Sequence, residues 1–234
     1  MMEPMNLLRE KFQASAVCVR VMPFVIFILL TAMPAILKEI APQYYSDSSV
    51  YWFYLAKTVV GGWLIWEMRP FVSEMRWALS WEAVAVGILV FAMWVGADPF
   101  FPHIKAPGPV WNPHEHFGEN SPMAWGFLIV RIVGMSLVVP PLEEVFYRSF
   151  LYRYFVRTDF LNMPLGRFHP TSFIITSVLF GFEHSQWLAG ILCGFAFQGL
   201  AVRKNRVSDA ITAHAITNFL LGIWVVWRHD WKFF

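Results

Sequence analysis

Two adjacent carboxylates and a guanidinium stand inside an otherwise apolar run, Pro140-Pro141-Leu142-Glu143-Glu144-Val145-Phe146-Tyr147-Arg148. An ionisable group at membrane depth costs about 2.5–3.5 kcal/mol even on a mild insertion scale, so such groups are usually paired, functional or both. Arg148 follows Glu144 by four residues, which puts both on one helix face and lets them pair. Glu143 lies about 100° further round the helix. Glu144 is therefore expected to be neutralised by Arg148, leaving Glu143 free for chemistry. The double proline is expected to start a helix, because proline suits a first turn. Both glutamates would then sit near the positive end of the helix dipole. A helix-capping ion network with no chemistry fits the same three residues.

Three more polar groups stand out in the apolar C-terminal half: His184, His214 and Asn218. His214 and Asn218 are four apart and share a helix face, and Phe180 lies four before His184. Taken singly, a membrane His or Asn is polar glue between helices. Taken together with Glu143 they match amide hydrolysis. Glu143, helped by His184, would take a proton from water, while His214 and Asn218 donate hydrogen bonds to the developing oxyanion. One such donor is worth about 3–4 kcal/mol in the barrier. This chemistry calls for no metal and no cofactor. Ser149 and Ser185 adjoin these residues, but no Gly-x-Ser-x-Gly elbow surrounds them. Cys18 and Cys193 lie in apolar context and read as small buried hydrophobes.

The elements that must position these groups are membrane helices. Of the 234 residues, 57% are apolar and 15% charged, against about 45–50% and 25% in soluble domains. Mean hydropathy is +0.50. The expectation is an all-α, polytopic membrane helix bundle of about eight helices. It forms a single integral membrane domain over residues 1–234, with a catalytic core at about 123–227. Twelve Trp and 23 Phe suit aromatic belts at both interfaces. A net charge of +2 without a basic stripe argues against a nucleic-acid partner and leaves the lipid bilayer.

Apolar runs fall at roughly 17–37, 50–66, 81–95, 123–139, 171–184, 187–202 and 208–227. A short helix at roughly 142–156, amphipathic through Arg148 and Arg153, is expected to cross only partly or to lie at the cytoplasmic face. Arg9, Lys11 and Arg20 place the N-terminal segment in the cytoplasm as a retained segment rather than a cleaved signal. Lys57, inside the second run, either snorkels or faces the bundle interior. The segment 98–121 carries His103, His114, Glu115 and His116; it reads as an external loop, and its histidines lack a ligand spacing.

Glu143-Glu144-x-x-x-Arg148, Phe180-x-x-x-His184 and His214-x-x-x-Asn218, in that order, resemble the three motifs of the CPBP family. That family holds CAAX-processing endopeptidases, bacteriocin-processing proteins and abortive-infection membrane proteins. The surrounding text, including Pro164-Leu165-Gly166-Arg167-Phe168 and Glu183-His184-Ser185-Gln186-Trp187, is similar to a bacterial branch associated with exosortase systems. The resemblance covers roughly 139–222. It implies an intramembrane glutamate protease of the bacterial inner membrane, acting near the end of a membrane-anchored or lipidated peptide. It also implies catalytic roles for Glu143, His184, His214 and Asn218, with Glu144 and Arg148 in support. Ser149 stands where many members have glycine. Two other readings stay open: a non-catalytic scaffold or immunity-type partner, and a zinc protease. The second is weakened by the lack of His-Glu-x-x-His and by Asn218, a poor zinc ligand.

Overall fold

The computed structural model describes residues 4–101, 110–119 and 121–234; His103 lies outside them. The described chain folds into nine helices with no strand among them. They are α1 (Pro4–Ala14), α2 (Ala16–Ile40), α3 (Ser49–Met68), α4 (Trp81–Ala97), α5 (Pro113–Phe117), α6 (Pro122–Tyr154), α7 (Pro170–Gly181), α8 (Trp187–Lys204) and α9 (Ser208–Arg228). The spans containing α2, α4, α6 and α9 are long and apolar enough to cross a membrane. Helix ends follow local chemistry. Ser15, Ser80 and Ser121 each accept a backbone N–H from the first turn that they cap, the usual N-cap role of a short hydroxyl side chain.

The largest departure from the sequence expectation is α6. The double proline starts no helix. One helix runs for 33 residues through it, so Glu143 and Glu144 sit deep inside a span and not in a first turn. The means is a π segment, Gly134–Val138, directly before the prolines. Val139 donates to the carbonyl five residues back, Gly134. Pro140 has no N–H to return to Met135, and the wider π turn leaves room for the ring that an α turn would clash with. A second π segment, Val145–Leu151, follows the glutamates.

Merging two expected helices into one also brings the basic residues at the helix ends together. Arg153 at the far end of α6 meets Glu74 at 3.0 Å, and Arg20 at the near end of α2 meets the same carboxylate at 2.7 Å. Lys204 at the end of α8 pairs with Glu82 at 2.8 Å. The basic clusters therefore gather at one end of the bundle. At the other end, Tyr51 donates to the Asn112 carbonyl at 2.9 Å and Lys232 pairs with Asp98 at 2.8 Å.

The other departures are local. Helix α7 stops at Gly181, so Glu183 and His184 lie in the turn before α8. The 98–121 segment contains a helical turn, α5, started by the Asn112 side chain. Its histidines diverge: His114 packs edge-on to Trp125 at 5.0 Å, and His116 packs on Tyr51 at 5.3 Å. Helices α7 and α8 touch backbone to backbone. A Cβ on Gly194 would meet the Ser177 carbonyl oxygen at 2.7 Å, and one on Gly190 the Gly181 Cα at 2.9 Å. The small residues of α8 therefore set this contact, which carries Phe180 and His184 into the core.

Glu74 lies outside the spans and organises the basic end of the bundle. Burial raises its pKa, but Arg20 and a Ser149 hydroxyl outweigh that and hold it at about 2. A carboxylate depressed in the fold stabilises above its unfolded pKa and loses that contribution as pH falls through the folded value. The detergent-solubilised protein is expected to lose stability between about pH 4.5 and pH 2 on this account, by an amount of order 3 kcal/mol, with its melting temperature falling accordingly. Glu74→Gln should lower the melting temperature at pH 7 and flatten that part of the profile. Scanning fluorimetry across pH checks both.

Candidate active site

The six residues singled out by the motifs come from three places: α6, the turn after α7, and α9. Glu143, His184, His214 and Asn218 line one cavity of 310 Å³. Glu144 and Arg148 are sealed behind it, 0% and 1% exposed.

Glu144 is held from two sides. Its Oε2 lies 3.0 Å from Arg148 Nε and its Oε1 lies 3.0 Å from His214 Nδ1. The guanidinium of Arg148 sits 4.3 Å over the Phe180 ring, a cation–π contact that suits a charge removed from water. His214 is further fixed by Phe197, stacked at 5.0 Å, and by Phe180, edge-on at 5.9 Å. With Nδ1 given to Glu144, only Nε2 of His214 faces Glu143, whose Oε2 is 4.0 Å away. That nitrogen donates a hydrogen bond only when both ring nitrogens are protonated.

Glu143 differs from its neighbour. It is 7% exposed, and its Oε2 is buried without a hydrogen-bond partner among the described residues. A buried carboxylate oxygen left unclaimed is costly and is a mark of a working site. His184 is tethered through Nδ1 to the Phe180 carbonyl at 3.0 Å. As Nδ1–H donates there, Nε2 keeps its lone pair. Trp94 packs edge-on to the ring at 5.3 Å and donates its own N–H to Gln186 at 2.7 Å. Gln186 in turn donates to Asp98 at 2.6 Å. The turn that carries His184 is thus anchored to α4 although it is not helical.

Asn218 does something the spacing did not foretell. Its Nδ2 donates to the Met135 carbonyl at 2.7 Å, the acceptor that Pro140 leaves without a return bond. One of its two amide hydrogens is committed to the backbone of α6, and one remains. The residue staples α9 to the π segment.

The cavity also holds residues that motif reasoning passed over. Glu183 lines it, as do Lys57 and Arg131. The available signal was an ionisable side chain within an apolar run, and Lys57 resolves to the bundle interior rather than the interface. Cys193 lines the cavity and is buried. Among the described residues no three His, Cys, Asp or Glu side chains converge as metal ligands.

Residues 125–220 match the family described as Type II CAAX prenyl endopeptidase Rce1-like. The match takes in all six motif residues and covers less than half of the chain. It supports an intramembrane protease of the CAAX-processing kind. No curated protein and no solved structure matches the chain.

Asn218→Ala removes the donor from the Met135 carbonyl, a loss of about 1–3 kcal/mol for a buried polar group left unpaired. The variant is expected to melt several degrees below the parent at pH 7. An unchanged melting temperature would show that α6 satisfies that carbonyl by itself.

Proposed function

We propose that the chain is a CPBP-type glutamate intramembrane endopeptidase. It hydrolyses a peptide bond near the end of a membrane-anchored or lipidated substrate. The observation that carries this reading is that Glu143, with an unclaimed buried oxygen, shares one cavity with His184, His214 and Asn218. The match of residues 125–220 supports it independently.

In this mechanism a water donates one hydrogen bond to Glu143 Oε2 and another to His184 Nε2. As it attacks the peptide carbonyl, its proton passes to Glu143. The new C–O bond turns the carbonyl oxygen into an oxyanion, which takes hydrogen bonds from His214 Nε2 and from the Asn218 amide hydrogen not held by Met135. Glu143 then returns the proton to the leaving nitrogen as the C–N bond breaks. Glu144 acts through His214. It accepts the hydrogen bond from Nδ1–H, fixes the ring and balances the imidazolium charge, while Arg148 balances Glu144. Preorganised donors in a water-poor site need no rearrangement when charge develops, which is the main source of their effect.

On this reading the catalytic core spans about 123–227 of a single membrane domain, and the likeness to the exosortase-associated branch favours a bacterial inner membrane as its location. No step needs a metal.

The decisive substitution is Glu143→Gln, which keeps size and hydrogen bonding and removes the base. Cleavage of the peptide that accumulates uncut in membranes of a Glu143→Gln strain should fall by about 100-fold or more with the purified variant. His184→Ala should fall in the same direction with the fold intact. Parent-level cleavage by purified Glu143→Gln would remove the catalytic assignment and leave a scaffold.

A further inference from the structure

Two cations on neighbouring helices, Lys57 of α3 and Arg131 of α6, line the active-site cavity. The same two line a second cavity of 510 Å³ between α2 and α3. Thr31 and Tyr54 are the other side chains shared by both. Lys57 is 9% exposed and donates to Thr31 Oγ1 at 3.1 Å. Its ammonium lies 4.5 Å from the Tyr54 ring centroid and 4.9 Å from that of Phe27. The Arg131 guanidinium lies 4.4 Å from Tyr54 and 4.8 Å from Trp111, and its Nε is buried without a hydrogen-bond partner among the described residues. Neither cation has a carboxylate within ion-pair distance among the described residues; Glu143 and Glu183, which share the cavity, lie beyond it. Ring faces offset part of the cost of such charges, but they supply no hydrogen-bond acceptor for a guanidinium.

Arg131 and Glu143 also face the same way for a reason built into α6. Twelve α-helical residues would leave their side chains about 120° apart. The π segment Gly134–Val138 lies between them. It takes up one extra residue, which cuts the offset to about 20°.

We infer that Lys57 and Arg131 form an anion subsite that holds the C-terminal carboxylate of the peptide being cut. This rests on the peptidase reading and deepens it. A carboxylate is the acceptor that a planar guanidinium and an ammonium take together. The spacing fits a bond near a chain end. With one residue taken up by the π segment, the helix rises about 16 Å from Arg131 to Glu143, and an extended peptide covers about 3.3–3.6 Å per residue. A carboxylate held by the two cations brings to Glu143 a bond about five residues or fewer from the terminus. The second cavity, opening between α2 and α3 from the same two cations, is the way in.

The test uses one N-palmitoyl hexapeptide of apolar residues, made as the free acid and as the C-terminal amide. Binding is measured to the Glu143→Gln protein in phosphatidylcholine nanodiscs, so that turnover does not intrude. The acid should bind about tenfold more tightly than the amide, the range of a charge-assisted hydrogen bond. Adding Lys57→Met or Arg131→Gln should bring the ratio close to one, and Lys57→Arg should restore the preference. The ratio within each variant guards against a fold defect. Equal binding of acid and amide, no binding of the acid, or a preference that survives both substitutions overturns the subsite. A preference lost when phosphatidylglycerol is added overturns it too, because a lipid phosphate then fills the site. Turnover by the parent chain separates the two claims. Cleavage without an acid preference sinks the subsite alone, and an acid preference in binding with no cleavage sinks the peptidase reading alone.

Discussion

The site depends on one carboxylate that water never reaches. Glu144 has no exposed surface, and it joins α6 to α9 through His214 while Arg148 answers its charge from one turn further along. Removing one partner of a buried pair strands the other, at about 3–5 kcal/mol. Arg148 in turn lies against Phe180 of α7 and reaches the Gly194 carbonyl of α8 at 3.5 Å. Four helices therefore converge on a single charge. Its position fixes the face of His214 that meets the cavity, and its neutralisation by two partners leaves the adjacent Glu143 as the carboxylate with an oxygen to spare. Two neighbouring glutamates meet opposite surroundings because the helix turns between them.

Close backbone approach makes this convergence possible. Helices in lipid gain little from excluding water and associate through packing and hydrogen bonds. Gly190 and Gly194 bring α8 onto α7, and Gly87 lets α4 approach α9, where Thr217 donates to the Gly87 carbonyl at 2.9 Å. Where backbones come this close, a short side chain such as Thr217 bridges them with little conformational freedom to lose.

Much of this was legible in the sequence. Hydropathy located the long helices, because an apolar run of span length has few other uses. Motif spacing located the four cavity residues, because two of the motifs are i, i+4 pairs and the third keeps the same reach through a turn. The pairing of Glu144 with Arg148 was legible for the same reason. What was not legible turned on backbone register. Proline normally announces a helix start, and no side chain announces a π turn, so α6 read as two helices, the second crossing only partly or lying at one face. Once α6 is continuous, Arg153 reaches the end where Arg20 and Glu74 already meet. The second duty of Asn218 was hidden by the same omission, since its acceptor exists only because Pro140 follows a widened turn. Lys57 and Arg131 were visible as charges in apolar text, but their convergence needs the packing of α3 on α6.

The walls of the cavity are not equally strong. Most are helices tens of ångströms long, whose parting would break many contacts at once. One stretch is the short segment Trp231–Phe233, whose Phe233 faces the cavity and whose Lys232 grips Asp98 from a half-exposed position. A partly exposed ion pair is worth at most about 1 kcal/mol, so the corner is closed mainly by rings, with Phe234 edge-on to Trp111 and Trp231 beside His114. The wall there is a patch of aromatic packing, while the sealed charges belong wholly to the helical frame.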